Sequence, residues 1–114
     1  MTRIFLRIYF SDNSWLGPGK VDLLEAIRDH HSISAAARTM GMSYRRAWLL
    51  IDSINRLFGA RAIATRLGGR HGGSAIVTPF GLDIIRKYRA MEHATRRAIA
   101  PYSAALARRA SRAR

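Results

Sequence analysis

The stretch that decides the fold runs Ser34-Ala-Ala-Ala-Arg-Thr-Met-Gly-Met-Ser-Tyr-Arg-Arg-Ala-Trp-Leu-Leu-Ile-Asp52. Two short helices can cross steeply only where the side chains at their contact are small, and Ala36 and Ala37 meet that condition. Gly41 can adopt the left-handed backbone conformation that ends the first helix. Ser43 offers a side-chain oxygen to the free amides at the start of the next helix. The pattern predicts a helix-turn-helix.

The second predicted helix has one apolar face and one face free for DNA. The apolar residues recur at helical intervals, at Ala47, Leu50, Ile51, Ile54 and Phe58. In a helix-turn-helix, the second helix lies in the major groove and contacts bases through its N-terminal residues. Arg45 and Arg46 are the strongest candidates, because a guanidinium can donate to both O6 and N7 of guanine. An ordinary helical hairpin with solvated arginines is the alternative.

A glycine-rich loop follows this helix, with the sequence Leu67-Gly-Gly-Arg-His-Gly-Gly-Ser74. The segments 62–66 and 75–78 flank it and predict a β-hairpin, which would form the wing of a winged helix. Arg70 and His71 at its tip are placed to reach the DNA backbone or minor groove. A flexible hairpin whose charges face water is the alternative. The predicted DNA-binding residues are Ser34, Ser43, Tyr44, Arg45, Arg46, Trp48, Arg66, Arg70 and His71.

Two elements precede the helix-turn-helix. Alternating apolar residues predict an N-terminal strand with one buried face, formed by Ile4, Leu6, Ile8 and Phe10, and the run Ser11-Asp12-Asn13-Ser14 ends it. Pro18 can open a helix at its first turn, and this helix is expected to end near residues 30–32. Its inner face is predicted to contain Val21, Leu24 and Ile27.

A long helix is predicted at the C-terminal end of the chain. Thr78 and Pro79 form a strong helix start, with a hydroxyl for the cap and proline at the first helical position. Ile84, Tyr88 and Met91 form an apolar stripe, which we assign to the interface of a homodimer. Packing within one chain is the alternative. Proline 101 is expected to break or kink the helix, and the rest to form a flexible basic tail.

These elements together predict an α+β fold, a winged helix-turn-helix with an N-terminal strand, a β-hairpin wing and a long C-terminal helix. The expected organisation is a DNA-binding domain over 1–78, a dimerisation helix over 79–100 and a flexible tail over 101–114. Twenty Lys and Arg against seven Asp and Glu give a formal net charge of +13. Such a charge attracts polyanions.

The positive charge is concentrated at the C-terminal end. From Arg86 to Arg114 the only acid is Glu92, beside nine Lys or Arg residues. This run would add sequence-independent attraction to phosphates. It is also typical of a solvated face or tail.

Few residues suit metal or catalytic chemistry. The absence of cysteine excludes disulfides, thiolate metal sites and iron–sulfur clusters. His30 and His31 are adjacent, so on a helix they diverge by about 100° and do not readily share a metal. No carboxylate pair or nucleophile stands beside a base in a recognisable motif, so we expect no enzyme, no metal and no cofactor. No apolar run approaches a membrane span or a signal peptide, and a cytoplasmic protein is expected.

With its elements in this order, the chain closely resembles the N-terminal DNA-binding domain of the molybdate-responsive transcription regulators of the ModE type, whose winged helix is akin to that of LysR-type regulators. The matching segments are Gly17-Pro-Gly-Lys-Val-Asp-Leu-Leu-Glu-Ala-Ile27, Ser32-Ile-Ser-Ala-Ala-Ala-Arg38, Met40-Gly-Met-Ser-Tyr-Arg-Arg-Ala-Trp-Leu-Leu50, the Gly68-Gly-Arg-His-Gly-Gly73 loop, and Thr78-Pro-Phe-Gly81 with Leu82. The resemblance extends over roughly residues 16–91, which is most of the chain.

This resemblance implies a dimeric bacterial regulator that places Tyr44, Arg45 and Arg46 in the major groove of double-stranded DNA. Regulators of this type also carry C-terminal molybdate-binding domains, whereas this sequence stops at Arg114, so we expect no small-molecule effector here. A nonspecific nucleoid-associated or RNA-binding protein is the main alternative. Only Phe5 and Tyr9 suggest the stacking platform that RNA binding favours. A protein-interaction module is less compatible with the charge of +13.

Overall fold

The computed structural model describes residues 2–66 and 74–113. In chain order its elements are β1 Ile8–Ser11, β2 Ser14–Leu16, α1 Pro18–His30, α2 Ile33–Thr39, α3 Tyr44–Phe58, β3 Ile63–Arg66, β4 Ser74–Val77 and α4 Pro79–Ala113. Strand β1 pairs with β2, and β3 with β4, as two antiparallel hairpins. The predicted α+β class is confirmed, and the order of elements fits a winged helix-turn-helix.

Helix α1 lies at the centre of the core and packs against α2, α3 and α4. It begins at Pro18, where the missing amide leaves no hydrogen bond unmade. It ends at His30, because His31 adopts a left-handed conformation with φ of 54°. The predicted inner face is confirmed, since Val21, Leu24 and Ile27 are fully buried.

The turn between α2 and α3 forms as the sequence predicts. Ala36 and Ala37 are buried at the crossing of the two helices. Gly41 has a φ of +66°, which a residue with a side chain rarely adopts. The Ser43 hydroxyl oxygen accepts a hydrogen bond from the Arg46 amide at 3.1 Å, which caps α3. Local sequence signals therefore fix where the second helix starts.

The predicted apolar face of α3 is also confirmed. Ala47, Ile51 and Ile54 are buried, while Leu50 and Phe58 are partly buried against the same core. The Phe58 ring packs edge-on against Phe80 at 5.5 Å between centroids, so the end of α3 contacts the start of α4. One side of α3 is thereby fixed to the domain and the other faces outward.

The N-terminal strand is shorter than predicted. Exposure alternates as expected through Ile8, but the regular strand covers only Ile8–Ser11, and Phe10 is largely exposed. The predicted break after Phe10 is instead the turn of a hairpin that pairs β1 with β2. Strand β2 was not predicted, because three residues are too few to show a periodic pattern.

The two strands of the predicted wing are confirmed as β3 and β4, paired from residue 63 opposite 77 to residue 66 opposite 74. The side-chain oxygen of Asn55 accepts hydrogen bonds from the amides of Ala62 and Ile63, at 2.8 and 3.3 Å. These bonds tie the start of the wing to the end of α3. The predicted tip residues Arg70 and His71 lie outside the described residues.

Helix α4 begins as predicted and is fixed tightly to the wing. The Thr78 hydroxyl oxygen accepts a hydrogen bond from the Gly81 amide at 3.1 Å. A Cβ atom at Gly81 would overlap the carbonyl oxygen of Ala62, so only glycine fits there. Further along, the Tyr88 hydroxyl donates to the carbonyl oxygen of Leu6 at 2.6 Å. The first half of α4 is therefore part of the same core as α1.

The predicted dimer interface needs correction. Tyr88 is fully buried and Ile84 is 6% exposed within one chain, so these two residues belong to the core. Met91 differs, with 37% of its surface exposed. An apolar stripe shows that one face of a helix is covered, but periodicity does not show what covers it. Here α1 and the N-terminal segment cover it.

The predicted break at Pro101 is also wrong. Helix α4 continues through Pro101 as one element of 35 residues and ends at Ala113. A proline inside a helix removes one hydrogen bond and costs about 3 kcal/mol. Its neighbours are rich in alanine, the strongest helix former, which favours continuation on both sides.

Candidate nucleic-acid interface

The first two turns of α3 present an exposed basic and aromatic surface. Tyr44 and Trp48 are each about half exposed, and Arg45 and Arg46 are exposed beside them. Ala47, between them in sequence, points into the core. Because α3 is capped at its N-terminus and anchored by its apolar face, these side chains are held on a rigid element. A rigid, exposed helix start is the arrangement that major-groove reading requires.

The two ends of α3 differ electrostatically. Arg56, in the last turn, forms a salt bridge with Asp52 at 2.7 Å. Within residues 2–66 and 74–113, neither Arg45 nor Arg46 forms one. The cations at the start of the helix are therefore available to an external acceptor. The helix N-terminus adds partial positive charge at the same place.

The other predicted DNA-binding residues are more scattered. Ser43 is exposed but already serves as the cap of α3. Ser34 is exposed in the first turn of α2, which is the first helix of the helix-turn-helix. Arg66 is exposed at the end of β3, where the described part of the wing stops. The structure thus brings Tyr44, Arg45 and Trp48 together on one helix.

A groove that was not predicted from the sequence lies between the β1–β2 hairpin and α3. Its volume is about 400 Å³, and its lining includes Asn13, Trp15, Lys20, Ser43, Arg45 and Arg46. The β1–β2 turn therefore borders the predicted reading surface. This hairpin was not predicted, so no sequence signal placed Asn13 beside α3.

Trp15 and Lys20 fix the floor of this groove. The Lys20 ammonium donates to the Trp15 carbonyl oxygen at 2.9 Å and lies 3.7 Å from the centroid of its ring. The Arg7 guanidinium lies 3.9 Å from the same centroid. Burial, and secondarily the charge of Arg7, lowers the pKa of Lys20. The spacing from Lys20 to Leu24 and Ile27 could have placed this lysine on the buried face of α1.

The described residues offer little for other chemistry. His30 and the Thr39 hydroxyl are 3.2 Å apart, which links α1 to α2. Across residues 2–66 and 74–113, no three His, Cys, Asp or Glu side chains cluster as metal ligands. None of the described helices is long and apolar enough to span a bilayer.

Comparison with known proteins reveals clear relatives. No protein-family profile matches the chain. It is 43% identical over 77 residues to the molybdenum-pterin-binding protein MopB of Rhodobacter capsulatus, a match that covers 68% of this chain and 28% of that protein. It is 39% identical over 77 residues to the molybdenum transport protein ModE of Azotobacter vinelandii, with the same two coverages of 68% and 28%.

A third relative carries a regulatory name. The chain is 32% identical over 85 residues to the DNA-binding transcriptional dual regulator ModE of Escherichia coli K12, covering 75% of this chain and 32% of that protein. The shared segment is thus about a third or less of the length of these relatives. The chain is related to ModE and Mop proteins over most of its own length.

Proposed function

We propose that this chain is the DNA-binding part of a ModE-type transcription regulator and reads a specific duplex through α3. The observation that best supports this is the exposed pair Arg45 and Arg46, on the first turn of a capped helix whose opposite face is buried. Some of its relatives are named transcriptional regulators, which agrees with this role. The net charge of +13 favours the same polyanionic partner.

In this proposal, three surfaces contribute differently to binding. The guanidinium groups of Arg45 and Arg46 donate to guanine edges in the major groove, which gives sequence specificity. The wing, with Arg66 at the end of β3, contacts the backbone and fixes the register. Lys20 and Arg7 hold Trp15 in place, so the β1–β2 turn stays beside α3 when DNA enters.

We further propose that the regulator binds as a homodimer. Each subunit would then contribute one α3, and two-fold symmetry would favour an inverted repeat with half-sites about one helical turn apart, or a multiple of it. Because Ile84 and Tyr88 belong to the core, the dimer contact must use another part of the chain.

We propose no molybdate effector for this chain, although its relatives are named for molybdenum. The match covers only 28% of the length of each of these two relatives. Calorimetry at physiological salt should show only weak, unsaturable adsorption of molybdate to the basic surface, and DNA affinity should not change with the oxyanion. A stoichiometric isotherm would contradict this and assign a sensing role to the chain.

Selection of bound duplexes from a random pool tests DNA reading directly. We expect one enriched motif. Replacing Arg45 or Arg46 by Ala should weaken binding to that motif by about 1 to 3 kcal/mol, or roughly 5- to 150-fold, with a much smaller loss on random DNA. The matched control is Arg56→Ala, which removes a cation from the same helix at its carboxylate-paired end.

Two outcomes would overturn the proposal. If no motif is enriched and single-stranded RNA binds more tightly than duplex DNA, the chain is a nonspecific nucleic-acid binder. If Arg45→Ala and Arg46→Ala weaken selected and random DNA equally, these residues contact phosphates only, and α3 is not the reading element.

A further inference from the structure

Three large apolar side chains are exposed at the start of α3, where the arginines of the proposed reading surface also lie. Tyr44 and Leu49 are each 53% exposed, and Trp48 is 48% exposed. Among the described residues these three neither belong to the core nor pack against it, whereas the next residue, Leu50, does. Single exposed apolar residues are common, but a group of them on one surface marks a binding site. The fold therefore leaves these side chains for an external ligand.

Leu49 lies at the centre of the outward face of α3. Successive residues of an α-helix are rotated by about 100°, so Leu49 lies about 200° from Ala47. Ala47 and Ile51, two residues to either side of Leu49, are both buried. Arg45 is four residues before Leu49 and shares its face. A ligand that receives the Arg45 guanidinium therefore also meets the Leu49 side chain.

Polar groups surround Leu49 on this face. Arg45 precedes it by one turn, and the carboxylate of Asp52 beyond it is paired with Arg56 at 2.7 Å. On one flank Leu49 lines the groove of about 400 Å³ that separates α3 from Asn13 of the β1–β2 turn. The surface thus has a cation at one end, an apolar centre and a neutralised ion pair at the other end. A complementary ligand needs one apolar group among hydrogen-bond acceptors.

The major-groove edge of DNA has such a group. Thymine alone among the four bases presents a methyl group there, at C5, and apolar side chains pack against it. Guanine presents two acceptors, N7 and O6, which suit Arg45. A phosphate offers charged oxygens and no apolar group. The apolar centre of α3 therefore fits a base edge and not the backbone.

We propose that Leu49 reads thymine by packing its side chain against the C5-methyl group, next to the guanine that Arg45 contacts. Four helical residues span about 6 Å. Base pairs are stacked about 3.4 Å apart. The thymine is therefore within about two base pairs of that guanine. Trp48 borders the contact and limits the access of water to the methyl group.

The thymine contact deepens the proposed DNA reading and rests on it. It adds a second base to the recognised sequence and assigns that base to a residue that was not predicted from the sequence. A protein partner is the other class of ligand for an exposed leucine. The adjacent Arg45 and Arg46 and the net charge of +13 favour a polyanion instead.

Deoxyuridine tests the contact directly, because it pairs as thymidine does and lacks only the methyl group. The full chain is titrated, by fluorescence anisotropy, with the selected duplex and with duplexes in which one thymidine at a time is replaced. The guanine that Arg45 contacts is the one whose replacement no longer changes the affinity of Arg45→Ala. We expect a loss of about fourfold at one thymine within about two base pairs of it, the effect of removing one buried methyl group. Replacement of the other thymines should leave the affinity unchanged.

Leu49→Ala links the effect to this side chain. This variant should bind the thymidine duplex at least about fourfold more weakly than the native chain, and should bind the thymidine and deoxyuridine duplexes with equal affinity. The matched control is Leu82→Ala, which removes a leucine that is 41% exposed on α4. Leu82→Ala should keep the preference for thymidine. Circular dichroism and thermal unfolding verify that both variants keep the fold, as expected for exposed leucines.

Other results would overturn the thymine contact in distinguishable ways. If the selected motif has no thymine within that distance, or if deoxyuridine has no effect at any position, thymine is not read through its methyl group, and the proposed function still stands. If Leu49→Ala keeps the preference for thymidine, the assignment to Leu49 is wrong. If Leu49→Ala leaves the affinity for every duplex unchanged, Leu49 does not contact DNA and faces a protein partner instead. If selection yields no motif, the proposed function and the thymine contact both fail.

Discussion

Helices α3 and α4 start alike but present different surfaces to their surroundings. Each begins with a hydroxyl cap, Ser43 for α3 and Thr78 for α4, and each has an apolar stripe. The stripe of α3 is covered by the domain along its length, so only the opposite, basic face is open. The stripe of α4 is covered as far as Glu92, and farther along the helix Tyr102 and Leu106 are exposed.

This difference corresponds to the two roles that we propose for the molecule, DNA reading and homodimer formation. A helix anchored along its whole apolar face can hold reading side chains rigidly, as α3 does. A helix that extends beyond its domain leaves apolar side chains open, and in α4 these are Tyr102 and Leu106. Substitutions in the buried and exposed parts of α4, and at the cap of α3, can separate these two kinds of surface.

The largest effect should come from the buried part of α4. Tyr88→Ala removes a fully buried ring and its hydrogen bond to the Leu6 carbonyl, and should lower the free energy of unfolding by about 3 to 5 kcal/mol. Tyr88→Phe is the matched control and should cost only about 1 kcal/mol, since it removes the hydroxyl alone. Chemical denaturation at low protein concentration measures both. A stable but monomeric Tyr88→Ala variant would return Tyr88 to the dimer interface.

Tyr88 also shows how far the sequence could predict the structure. The cap, turn and stripe of the helix-turn-helix depend on residues that are neighbours in sequence, so Gly41, Ser43 and Ala47 were placed correctly. The hydrogen bond of Tyr88 goes to the carbonyl oxygen of Leu6, 82 residues away, a contact that no local pattern encodes. The hairpin that brings Asn13 beside α3 was missed for a related reason, because its second strand is too short to be periodic.

The exposed part of α4 should affect association and leave the fold unchanged. Leu106→Asp places a charge at an exposed apolar position of α4 and should weaken the proposed homodimer by about 1.5 to 3 kcal/mol, or roughly 10- to 150-fold. Ala104→Asp places the same charge on the far face and should leave the dimer unchanged. Sedimentation equilibrium measures both, with thermal unfolding as the control for folding. Equal dissociation of the two variants would show that the added charge alone weakens the dimer, and that the helix face with Leu106 is not the contact.

The junction of α4 with the wing should respond next. Gly81→Ala forces a Cβ atom onto the Ala62 carbonyl and should cost about 1 to 3 kcal/mol of stability. Gly19→Ala is the control, because a Cβ there meets no atom within 4 Å and alanine favours the helix. Gly19→Ala should therefore stabilise the protein by up to about 1 kcal/mol. If both variants were stabilised, α4 would not be fixed to the wing as described.

The smallest expected effect distinguishes the Ser43 cap of α3 from the Ser32 cap of α2, to which we assign no role in DNA reading. Ser32 caps α2 by accepting a hydrogen bond from the Ala35 amide at 3.1 Å, the same length as the Ser43 bond to Arg46. Ser32→Ala and Ser43→Ala should each cost about 1 kcal/mol of stability. Only Ser43→Ala should also weaken binding to the selected duplex, because fraying of the first turn of α3 displaces Arg45 and Arg46. Fluorescence anisotropy on selected and random duplexes measures this loss. Equal losses for the two caps would mean that DNA affinity follows overall stability and not the rigidity of α3.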